Sequence, residues 1–409
     1  MSSYRFGLIG AKLGHSLSPE IHARFGTYQY DLIELTEEEL ADFLTNGDFD
    51  GLNVTIPYKK AVIPFCAELT PRAKAIGSVN TIVRREDGTL LGDNTDYAGF
   101  LWMTKKAGVK VAGKKCLVLG SGGASLTCCA VLRDLGAGEV VTISRSGPDN
   151  YTNLERHADA ALIVNATPVG MHPAADASPL ESLDGFSKLE GVLDIIYNPL
   201  RTDLLAMAAD RGLPAVNGLG MLVTQAKVAA EHFLGRSIPD SCIEGLLSDL
   251  TRNFANVVLV GMPGAGKTSV GRILADRLRR PFIDTDERIE AKAGMSTERI
   301  FCELGEAAFR DIETSVLEEI SLSHGLVIAT GGGSLLREKN RRLLKRNGQL
   351  YWLRRPIEDL PVKGRPLSQA RGVEAIYAER EPIYRGAADR IIDNVTVKEA
   401  VSKILGEDR

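Results

Sequence analysis

Residues 261–268 read Gly-Met-Pro-Gly-Ala-Gly-Lys-Thr, and this segment constrains the fold more than any other part of the sequence. It follows the apolar run Asn256–Val260 and precedes a helical pattern, so the glycines lie between a strand and a helix. Glycines let successive backbone N–H groups turn inward around phosphate oxygens, at a helix N-terminus whose dipole favours anions. The lysine of such a loop reaches the outer phosphates, and the hydroxyl after it binds Mg²⁺. The pattern predicts an ATP-type site formed by Gly261, Gly264, Ala265, Gly266, Lys267 and Thr268.

Two carboxylates, Asp284 and Asp286, follow the apolar run around Phe282. If the strand continues through them, side chains two residues apart point the same way. One carboxylate would then hold Mg²⁺ through water, and the other would orient an attacking hydroxyl group. An isolated DxD also caps loops, but its position after a P-loop favours the functional interpretation. We predict Thr268, Asp284 and Asp286 as metal-binding residues, and Asp286 and Lys267 as catalytic residues.

Four further motifs follow in order: Gly305-Glu-Ala-Ala-Phe-Arg310-Asp-Ile-Glu313, Gly331-Gly332-Gly333, Gly364-Arg365-Pro-Leu and Tyr377-Ala-Glu-Arg380-Glu-Pro-Ile-Tyr384. With the P-loop and the DxD, this series resembles shikimate kinase. The resemblance implies a nucleoside-monophosphate-kinase-like fold and transfer of the ATP γ-phosphoryl group to the 3-hydroxyl of shikimate.

The resemblance also assigns roles to single residues. It implies that shikimate contacts Asp286, Arg310, Arg380 and the glycines Gly331, Gly332 and Gly333. Two arginines suit a carboxylate because each guanidinium offers a fork of donors, and Glu313, on the same helix face, is expected to orient Arg310. Arg365 would close with a lid and neutralise charge on the transferred group. The lid is shorter than is usual in the family, and Lys363 is the candidate for a second lid cation.

A second glycine loop, Gly120-Ser-Gly122-Gly123-Ala124-Ser125, lies in the first half of the chain. It departs from GxGxxG at Ser125, so alone it is equally consistent with a structural turn. The next strand, Glu139–Ile143, ends in Ser144-Arg145-Ser146, where an NAD site carries an acidic residue for the ribose 2′-hydroxyl. An arginine with two hydroxyls suits a 2′-phosphate instead. We therefore predict an NADP site, formed by Gly120, Gly122, Gly123, Ala124, Ser144, Arg145, Ser146 and Gly218.

Around this loop lie motifs of a second kind: His15-Ser16-Leu-Ser18-Pro19, Asn53-Val-Thr55-Ile-Pro-Tyr-Lys59, Ser78-Val-Asn80-Thr81, Asn94-Thr95-Asp96, Asn165-Ala-Thr167-Pro-Val-Gly-Met171, Tyr197-Asn-Pro199 to Thr202, and Gly218-Leu-Gly-Met-Leu-Val-Thr-Gln225. The series covers about residues 1–252 and resembles shikimate dehydrogenase. The resemblance implies reversible hydride transfer from NADPH to 3-dehydroshikimate. Ser18 and Pro19 are also good N-cap and N1 residues, and that structural interpretation is compatible with ligand binding.

Reduction of a ketone needs a proton donor at the developing alkoxide. Lys59 is the candidate, and Asp96 would position it. The resemblance implies that the substrate carboxylate is held by Ser16, Ser18 and Tyr197. It implies that the substrate hydroxyl groups are contacted by Thr55, Asn80, Asp96 and Gln225. The sequence departs from the family at Tyr97, where glycine is usual, and at Ser144, where asparagine is common.

Strand-like apolar runs alternate with helical patterns, which predicts an α/β fold with parallel sheets. We expect a dehydrogenase region over 1–253, with a substrate subdomain (1–98 plus 218–253) and a Rossmann-like NADP subdomain (99–217). A P-loop kinase domain is expected over 254–409. A helix is predicted over 19–26, and residues 217–252 are predicted to be helical with an interruption at Pro239.

The bulk properties argue against several classes of protein. A chain of 409 residues exceeds the size that one core usually serves. The net charge of −4 offers no basic face for nucleic acid. The six cysteines form no CxxC pair and the six histidines are dispersed, so a metal site made only of protein ligands is not expected. The sequence has neither a signal peptide nor a bilayer-spanning apolar run, so we expect a cytoplasmic protein with small-molecule substrates. The oligomeric state is not specified.

Both halves point to consecutive steps on one metabolite, so the prediction is a bifunctional enzyme that uses NADP(H), ATP and Mg²⁺. One alternative is an NAD-using quinate/shikimate dehydrogenase joined to another small-molecule kinase. A second is a metabolite-sensing regulator, against which the intact Lys59, Asp96, Lys267 and Thr268 argue. The minimal linker also suggests the hypothesis that shikimate passes directly between the sites.

Overall fold

The computed structural model describes residues 4–14, 16–360 and 372–407. The chain forms two compact units, which comprise Met1–Tyr197 with Thr202–Leu250 and Asn198–Arg201 with Thr251–Arg409. Across the described ranges, we find no helix with the length and apolarity needed to cross a bilayer.

The first unit begins with a six-stranded mixed sheet. Its elements are β1 (Arg5–Gly10), α1 (Ser18–His22), β2 (Gln29–Glu34), α2 (Glu37–Asn46), β3 (Gly51–Val54), a 3₁₀ turn (Ile63–Phe65), β4 (Glu68–Leu69), α3 (Pro71–Ile76), β5 (Thr81–Arg84), β6 (Leu90–Asp93) and α4 (Asp96–Ala107). The strand order is β2-β1-β3-β5-β6-β4. Strand β5 runs antiparallel to both β3 and β6, while β1 is parallel to β2 and β3.

The prediction for α1 was wrong at both ends. The helix stops at His22, because Arg24 and Phe25 donate to carbonyls only three residues back and tighten the chain before Gly26. Ser18 is not the N-cap: Leu17 holds that position, and Ser18 lies in the first helical turn. The Ser18 side chain is therefore not used to cap α1.

The second part of this unit is a five-stranded parallel sheet. Its elements are β7 (Lys115–Leu119), α5 (Gly123–Asp134), β8 (Glu139–Ile143), a 3₁₀ turn (Leu154–His157), β9 (Leu162–Asn165), β10 (Gly191–Asp194), α6 (Asp203–Asp210) and β11 (Ala215–Asn217). The strand order is β11-β10-β9-β7-β8. The chain therefore adds β8 on one side of β7 and then crosses to the other side to add β9, β10 and β11, so the order of winding reverses at β7. Strands β7 and β9 are apolar and almost fully buried, as expected when both faces of a parallel sheet are covered. Ligands of such sheets bind beyond the carboxyl ends of the strands at this reversal.

Two helices follow, α7 (Leu219–Leu234) and α8 (Ser241–Phe254). The predicted interruption at Pro239 is confirmed, because Pro239 lies between them. Helix α7 ends at Leu234, and its C-cap Gly235 adopts φ +60°, a left-handed conformation that glycine reaches without steric cost.

The second unit is a five-stranded parallel sheet with the order β13-β14-β12-β15-β16. Its elements are β12 (Asn256–Val260), α9 (Lys267–Leu278), β13 (Phe282–Asp284), α10 (Thr285–Ala293), α11 (Thr297–Arg299), a π turn (Ile300–Leu304), α12 (Gly305–Ser321), β14 (Val327–Ala329), α13 (Glu338–Asn347), β15 (Gly348–Arg354), a 3₁₀ turn (Ile357–Asp359), α14 (Val373–Ala387), β16 (Arg390–Asp393) and α15 (Val397–Leu405). Strand β12 is central and buried, so the loop that leaves its carboxyl end lies over the middle of the sheet. The predicted α/β class with parallel sheets is confirmed.

Candidate active sites

Lys59 and Asp96 meet in the first unit although they come from different elements. Lys59 lies in the turn after β3, and Asp96 opens α4. The Lys59 Nζ donates to the Asp96 Oδ2 at 2.5 Å, and the two side chains are only 16% and 9% exposed. The ion pair is therefore largely removed from water, where its electrostatic attraction is stronger than at the surface.

Asn80, Thr95 and Gln225 form a hydrogen-bond cluster, and Thr95 directly precedes Asp96 in the sequence. The Asn80 Oδ1 accepts from the Thr95 backbone N–H at 2.7 Å and from the Thr95 hydroxyl at 3.1 Å. The Asn80 Nδ2 donates to the Gln225 Oε1 at 3.4 Å, which brings α7 to β5. Thr55 directly follows β3, and its backbone N–H donates to the Ile9 carbonyl at 3.0 Å.

Ser16, Ser18 and Tyr197 lie at a second place in the same unit. The Ser16 and Ser18 hydroxyl oxygens are 3.1 Å apart, and the Ser18 backbone N–H donates to the Ser16 Oγ at 3.2 Å. Burial raises the pKa of Tyr197, and a hydrogen bond with the Leu17 backbone opposes that shift. The Leu17 contact places the Tyr197 hydroxyl beside the serine pair, while His15 lies outside the described residues.

Sequence reasoning missed the pair Tyr30 and Asn53. The Tyr30 hydroxyl donates to the Asn53 Oδ1 at 2.8 Å, and the Asn53 Nδ2 donates to the Thr81 Oγ1 at 3.2 Å. Burial raises the pKa of Tyr30 well above its usual range, although a hydrogen bond with Ser18 opposes the shift. Tyr30 thus links the serine pair to Asn53. Its place in an ordinary strand pattern gave no signal of this role.

The glycine loop of the first unit lies against the lysine pair. Gly120 has φ +106°, and a Cβ there would come within 2.9 Å of the Thr167 Cγ2. A Cβ at Gly123 would lie 3.0 Å from the Ser78 Oγ and 3.5 Å from the Lys59 Cβ. Gly122 is the N-cap of α5 and has open space where a Cβ would point. The loop, which continues into Ala124, therefore offers a free helix N-terminus at the sheet reversal, and this arrangement fits a dinucleotide phosphate.

Gly218 is also a predicted cofactor residue, but the structure gives it a packing reason. It is the N-cap of α7, and a Cβ there would overlap the Ile195 carbonyl oxygen.

Ser144, Arg145 and Ser146 directly follow β8, next to the glycine loop's strand β7. Ser144 is half-buried, and Arg145 and Ser146 are exposed. Arg145 forms no ion pair with the acidic residues of the described part of the chain. The nearby Asp149 Oδ1 instead accepts a hydrogen bond from the His157 Nε2 at 3.0 Å. The guanidinium group is therefore accessible to an anionic ligand.

The P-loop of the second unit has three glycines in conformations that side chains rarely adopt. The φ angles of Gly261, Gly264 and Gly266 are +141°, +85° and +88°. The Lys267 Nζ donates to the carbonyls of Gly261 and Met262 at 2.8 and 2.9 Å. The ammonium group thus lies on the loop backbone itself.

A cavity of about 770 Å³ opens over this loop. Its lining includes Gly266, Lys267, Thr268, Asp284, Asp286 and Arg380. The Thr268 hydroxyl donates to the Asp284 Oδ2 at 2.8 Å. Hydroxyl and carboxylate oxygens at the edge of a phosphate loop fit Mg²⁺, which usually keeps waters and phosphate oxygens among its ligands.

The prediction that Asp284 and Asp286 extend from one strand was wrong. Strand β13 ends at Asp284, whose Oδ1 accepts from the Asp286 backbone N–H at 3.0 Å and caps α10. Asp286 lies in the first turn of that helix, yet both carboxylates still line the cavity. Desolvation inside the cavity raises the pKa of Asp286 to about 6, the Asp284 charge adds to this shift, and Lys267 opposes it.

The glycine triplet is set by close packing and is not a flexible turn. A Cβ at Gly331 would lie 2.7 Å from the Asp286 Oδ1, and one at Gly332 would lie 2.5 Å from the Pro263 Cδ. A Cβ at Gly333 would overlap the Arg310 guanidinium group. Each glycine therefore allows a different part of the site to approach the backbone.

Two buried arginines border this backbone. The Arg310 Nη1 donates to the Glu313 Oε2 at 2.7 Å, which confirms the expected pairing, and Ser334 donates to the other Glu313 oxygen at 2.6 Å. Arg380 is 3% exposed, and its Nε has no hydrogen-bond partner among the described residues. Arg365 and Lys363 lie outside the described residues.

Sequence reasoning also missed Ser334 and Asn394. The Asn394 Nδ2 donates to the Ala265 carbonyl at 2.5 Å, far from the P-loop in sequence. Both residues follow recognisable strands or motifs, but no local pattern indicates their partners.

Two family models match the chain. The model described as "Shikimate dehydrogenase substrate binding domain" matches residues 8–82. The model described as "Shikimate kinase" matches residues 263–407.

Similar proteins cover the first part of the chain. A shikimate dehydrogenase (NADP(+)) from Clostridium perfringens is 38% identical over 270 residues, which is 61% of this chain and 99% of that protein. The crystal structure of a chorismate mutase/shikimate 5-dehydrogenase fusion protein from Clostridium acetobutylicum has a TM-score of 0.57 and 35% identity, covering 61% of this chain and 98% of the other. Shikimate 5-dehydrogenase from Thermus thermophilus, solved in complex with NADP(H) and shikimate, has a TM-score of 0.54 and 33% identity, with 60% and 99% coverage.

Proposed function

Because the chain belongs to the shikimate dehydrogenase family and carries a shikimate kinase domain, we propose that it catalyses two consecutive reactions. The first is the NADPH-dependent reduction of 3-dehydroshikimate to shikimate. The second is the transfer of the ATP γ-phosphoryl group to the 3-hydroxyl of shikimate. The similar proteins and the two matching family models identify the chain as a bifunctional shikimate-pathway enzyme, an oxidoreductase and a transferase, that uses NADP(H) and ATP with Mg²⁺.

The Lys59–Asp96 pair carries the proposal for the reduction. NADPH supplies the hydride that adds to the ketone carbon. The carbonyl electron pair then moves onto the oxygen, and the Lys59 ammonium group donates a proton to it. Asp96 holds the ammonium group in place through the 2.5 Å contact. Solvent returns the proton to Lys59 after product release.

The remaining side chains of the first unit suit a small hydroxylated acid. Ser16, Ser18 and Tyr197 offer three hydroxyl groups for the substrate carboxylate. Thr55, Asn80 and Gln225 offer hydrogen-bond groups for the ring hydroxyls, and the Asn80–Gln225 contact keeps two of them together.

The cofactor preference is proposed from the end of β8. Arg145 is exposed there between two serines, so a 2′-phosphate would gain charge-assisted hydrogen bonds. The phosphates that join the two nucleotides would lie at Gly120, Gly122, Gly123 and Ala124, where α5 begins.

For the phosphoryl transfer, Asp286 is proposed as the group that accepts the proton of the attacking hydroxyl. Its raised pKa of about 6 makes it a stronger base than an ordinary aspartate while it stays mostly ionised at neutral pH. Arg310 and Arg380 would bind the shikimate carboxylate, and the backbone of Gly331–Gly333 would lie against the ring. Lys267 and Thr268 would serve the phosphates and Mg²⁺ together with Asp284. Arg365 stays a predicted lid residue.

We propose that the two activities divide at about residue 253, with residues 1–253 serving the reduction and 254–409 the phosphorylation. All six cysteines are free thiols, which suits the reducing cytoplasm.

Direct transfer of shikimate between the two sites stays a hypothesis. It would be contradicted if shikimate 3-phosphate appeared only after the full lag that free diffusion of shikimate predicts.

The function is tested with the purified chain, 3-dehydroshikimate, NADPH, ATP and Mg²⁺. Oxidised cofactor and shikimate 3-phosphate are followed in the same reaction, and both are expected to accumulate. Parallel assays measure kcat/KM for NADH in place of NADPH. In the oxidative direction, with NADP+ as the hydride acceptor, they compare kcat/KM for quinate with that for shikimate. Cofactor oxidation without a phosphorylated product would contradict the kinase half of the proposal.

A further inference from the structure

The residue that follows the last strand of the second unit, Asn394, contacts the backbone of the P-loop through its side chain. Asn394 directly follows β16, and its backbone N–H donates to the Arg354 carbonyl at 2.9 Å. The residue is only 5% exposed, and its Nδ2 donates to the Ala265 carbonyl at 2.5 Å. The next glycine leaves no room for anything larger, because a Cβ at Gly266 would lie 2.8 Å from the same nitrogen.

This contact fixes the orientation of one peptide unit. The carbonyl of Ala265 and the N–H of Gly266 belong to the same trans peptide, in which the two groups point in opposite directions. Helix α9 does not fix this unit, since its first bond runs from the Val270 N–H to the Gly266 carbonyl at 2.9 Å. With the Ala265 carbonyl held by Asn394, the Gly266 N–H points the other way, toward the cavity that Gly266 lines.

We propose that Asn394 is a positioning residue for nucleotide binding, which holds the Ala265–Gly266 peptide so that its N–H faces the triphosphate. The inference rests on the proposed kinase function. It explains why a buried amide stands at this position. Burying an amide group is unfavourable unless the amide makes hydrogen bonds, and the Asn394 amide donates its hydrogen bond to the P-loop. The Asn394 Oδ1 has no partner among the described residues, so this donor bond sets the orientation of the amide.

The decisive variant is Asn394→Asp, which preserves the size of the side chain but removes the donor. An ionised carboxylate facing the Ala265 carbonyl repels it, so the peptide unit is expected to turn. We expect the Kd for MgADP and the KM for ATP to rise about tenfold or more, which corresponds to the loss of one buried hydrogen bond. The KM for shikimate should not change, because Arg310 and Arg380 are untouched.

A pH signature separates positioning from a general loss of structure. Below its pKa, an aspartate at 394 is protonated and its O–H can donate to the Ala265 carbonyl. Burial beside a carbonyl raises the pKa of such a carboxyl. The ratio of the MgADP Kd values of the variant and the wild type should therefore fall toward one as the pH is lowered from 8 to 5.5.

The matched control is Val395→Asp. It adds the same charge one residue away, on a side chain that is 74% exposed, and should leave the MgADP Kd unchanged. Asn394→Ala, which adds no charge, should weaken MgADP binding by about fivefold at every pH. Dehydrogenase activity reports on the first unit in every sample, and an unchanged KM for shikimate in the kinase reaction reports on a folded second unit.

The outcomes decide the inference. Equal MgADP affinity of Asn394→Asp and the wild type would overturn it, as would an equal loss in Val395→Asp or a loss that low pH does not relieve. Failure of both Asn394 variants to fold the kinase unit would also overturn it, in favour of a role in folding alone. If the wild type itself does not bind MgADP, the proposed kinase function fails instead.

Discussion

Lys59 in the first unit meets another side chain, Asp96, whereas Lys267 in the second unit donates to the backbone carbonyls of Gly261 and Met262. The same contrast runs through both sites. Around Lys59, the polar groups of Asn80, Thr95 and Gln225 hold one another. Around Lys267, glycine backbones approach other groups too closely for any Cβ. Side-chain hydrogen bonds surround Lys59, whereas the surroundings of Lys267 also depend on backbone that the absence of side chains makes accessible.

The contrast predicts different sensitivities. The first site should fail when atoms are removed from a side chain, because its partners then lose their hydrogen bonds. The second site should also fail when a single methyl group is added to a glycine, because there is no space for it.

The largest effect is expected for Lys59→Ala in the dehydrogenase reaction. Loss of the proton donor should lower kcat by about 10³-fold, since general acid catalysis contributes roughly 10²–10⁴-fold. The neighbouring Lys60 is exposed, and Lys60→Ala is the matched control with kcat close to the wild type. Steady-state NADPH oxidation measures both. Similar rates for the two variants would remove Lys59 from the mechanism.

Gly333→Ala tests the second site by adding a methyl group. The new Cβ would overlap the Arg310 guanidinium group, which must then move away from the shikimate carboxylate. We expect kcat/KM for shikimate in the kinase reaction to fall about 100-fold, as for a misplaced positioning residue. The control is Gly386→Ala in α14, where a Cβ would meet nothing within 4 Å. A kinase that tolerates Gly333→Ala as well as the control does not depend on this close approach.

Arg145→Ala addresses cofactor choice in the first unit. Loss of a charged hydrogen bond to the 2′-phosphate should lower the NADPH/NADH ratio of kcat/KM about 10- to 100-fold, mainly by weakening NADPH. Arg133, exposed on α5, provides the matched control Arg133→Ala. An unchanged ratio in Arg145→Ala would refute the 2′-phosphate contact.

The pH dependence of the kinase is expected to follow Asp286. Its folded-state pKa is raised to about 6, and a base must be ionised, so kcat/KM for shikimate should be half-maximal near pH 6, approach a plateau at higher pH and fall with decreasing pH. The limiting slope is about tenfold per pH unit. Because the Asp284 charge contributes to the raised pKa, Asp284→Asn should move the midpoint to lower pH. A midpoint near that of an ordinary aspartate in the wild type would contradict Asp286 as the base.

Sequence reasoning identified the motif residues and the α/β class because each glycine loop directly follows a strand and directly precedes a helix, so the pattern is local in the sequence. It also brought Lys59 and Asp96 together, although only through the order of several motifs. It failed where a local competitor decides the structure. Asp284 looked like part of a longer strand, but capping of α10 by its own carboxylate ends that strand.

Long-range contacts were the other blind spot. Asn394 and Ala265 are 129 positions apart, and nothing in either segment indicates the other. Tyr30 resembles any aromatic residue of a strand until Asn53 is seen opposite its hydroxyl group. Which residues meet in such pairs depends on the order of the strands in the sheet, and the periodicity of apolar residues along the sequence does not specify that order.

The most direct test of two separate sites is a complementation assay with Lys59→Ala and Lys267→Ala. Each purified variant receives 3-dehydroshikimate, NADPH, ATP and Mg²⁺, alone and in an equal mixture, and shikimate 3-phosphate is quantified. We predict that Lys267→Ala stops at shikimate, that Lys59→Ala phosphorylates only added shikimate, and that the mixture restores the final product. Loss of both activities in either folded variant, or a mixture that stays inactive while each single activity is present, would contradict the account.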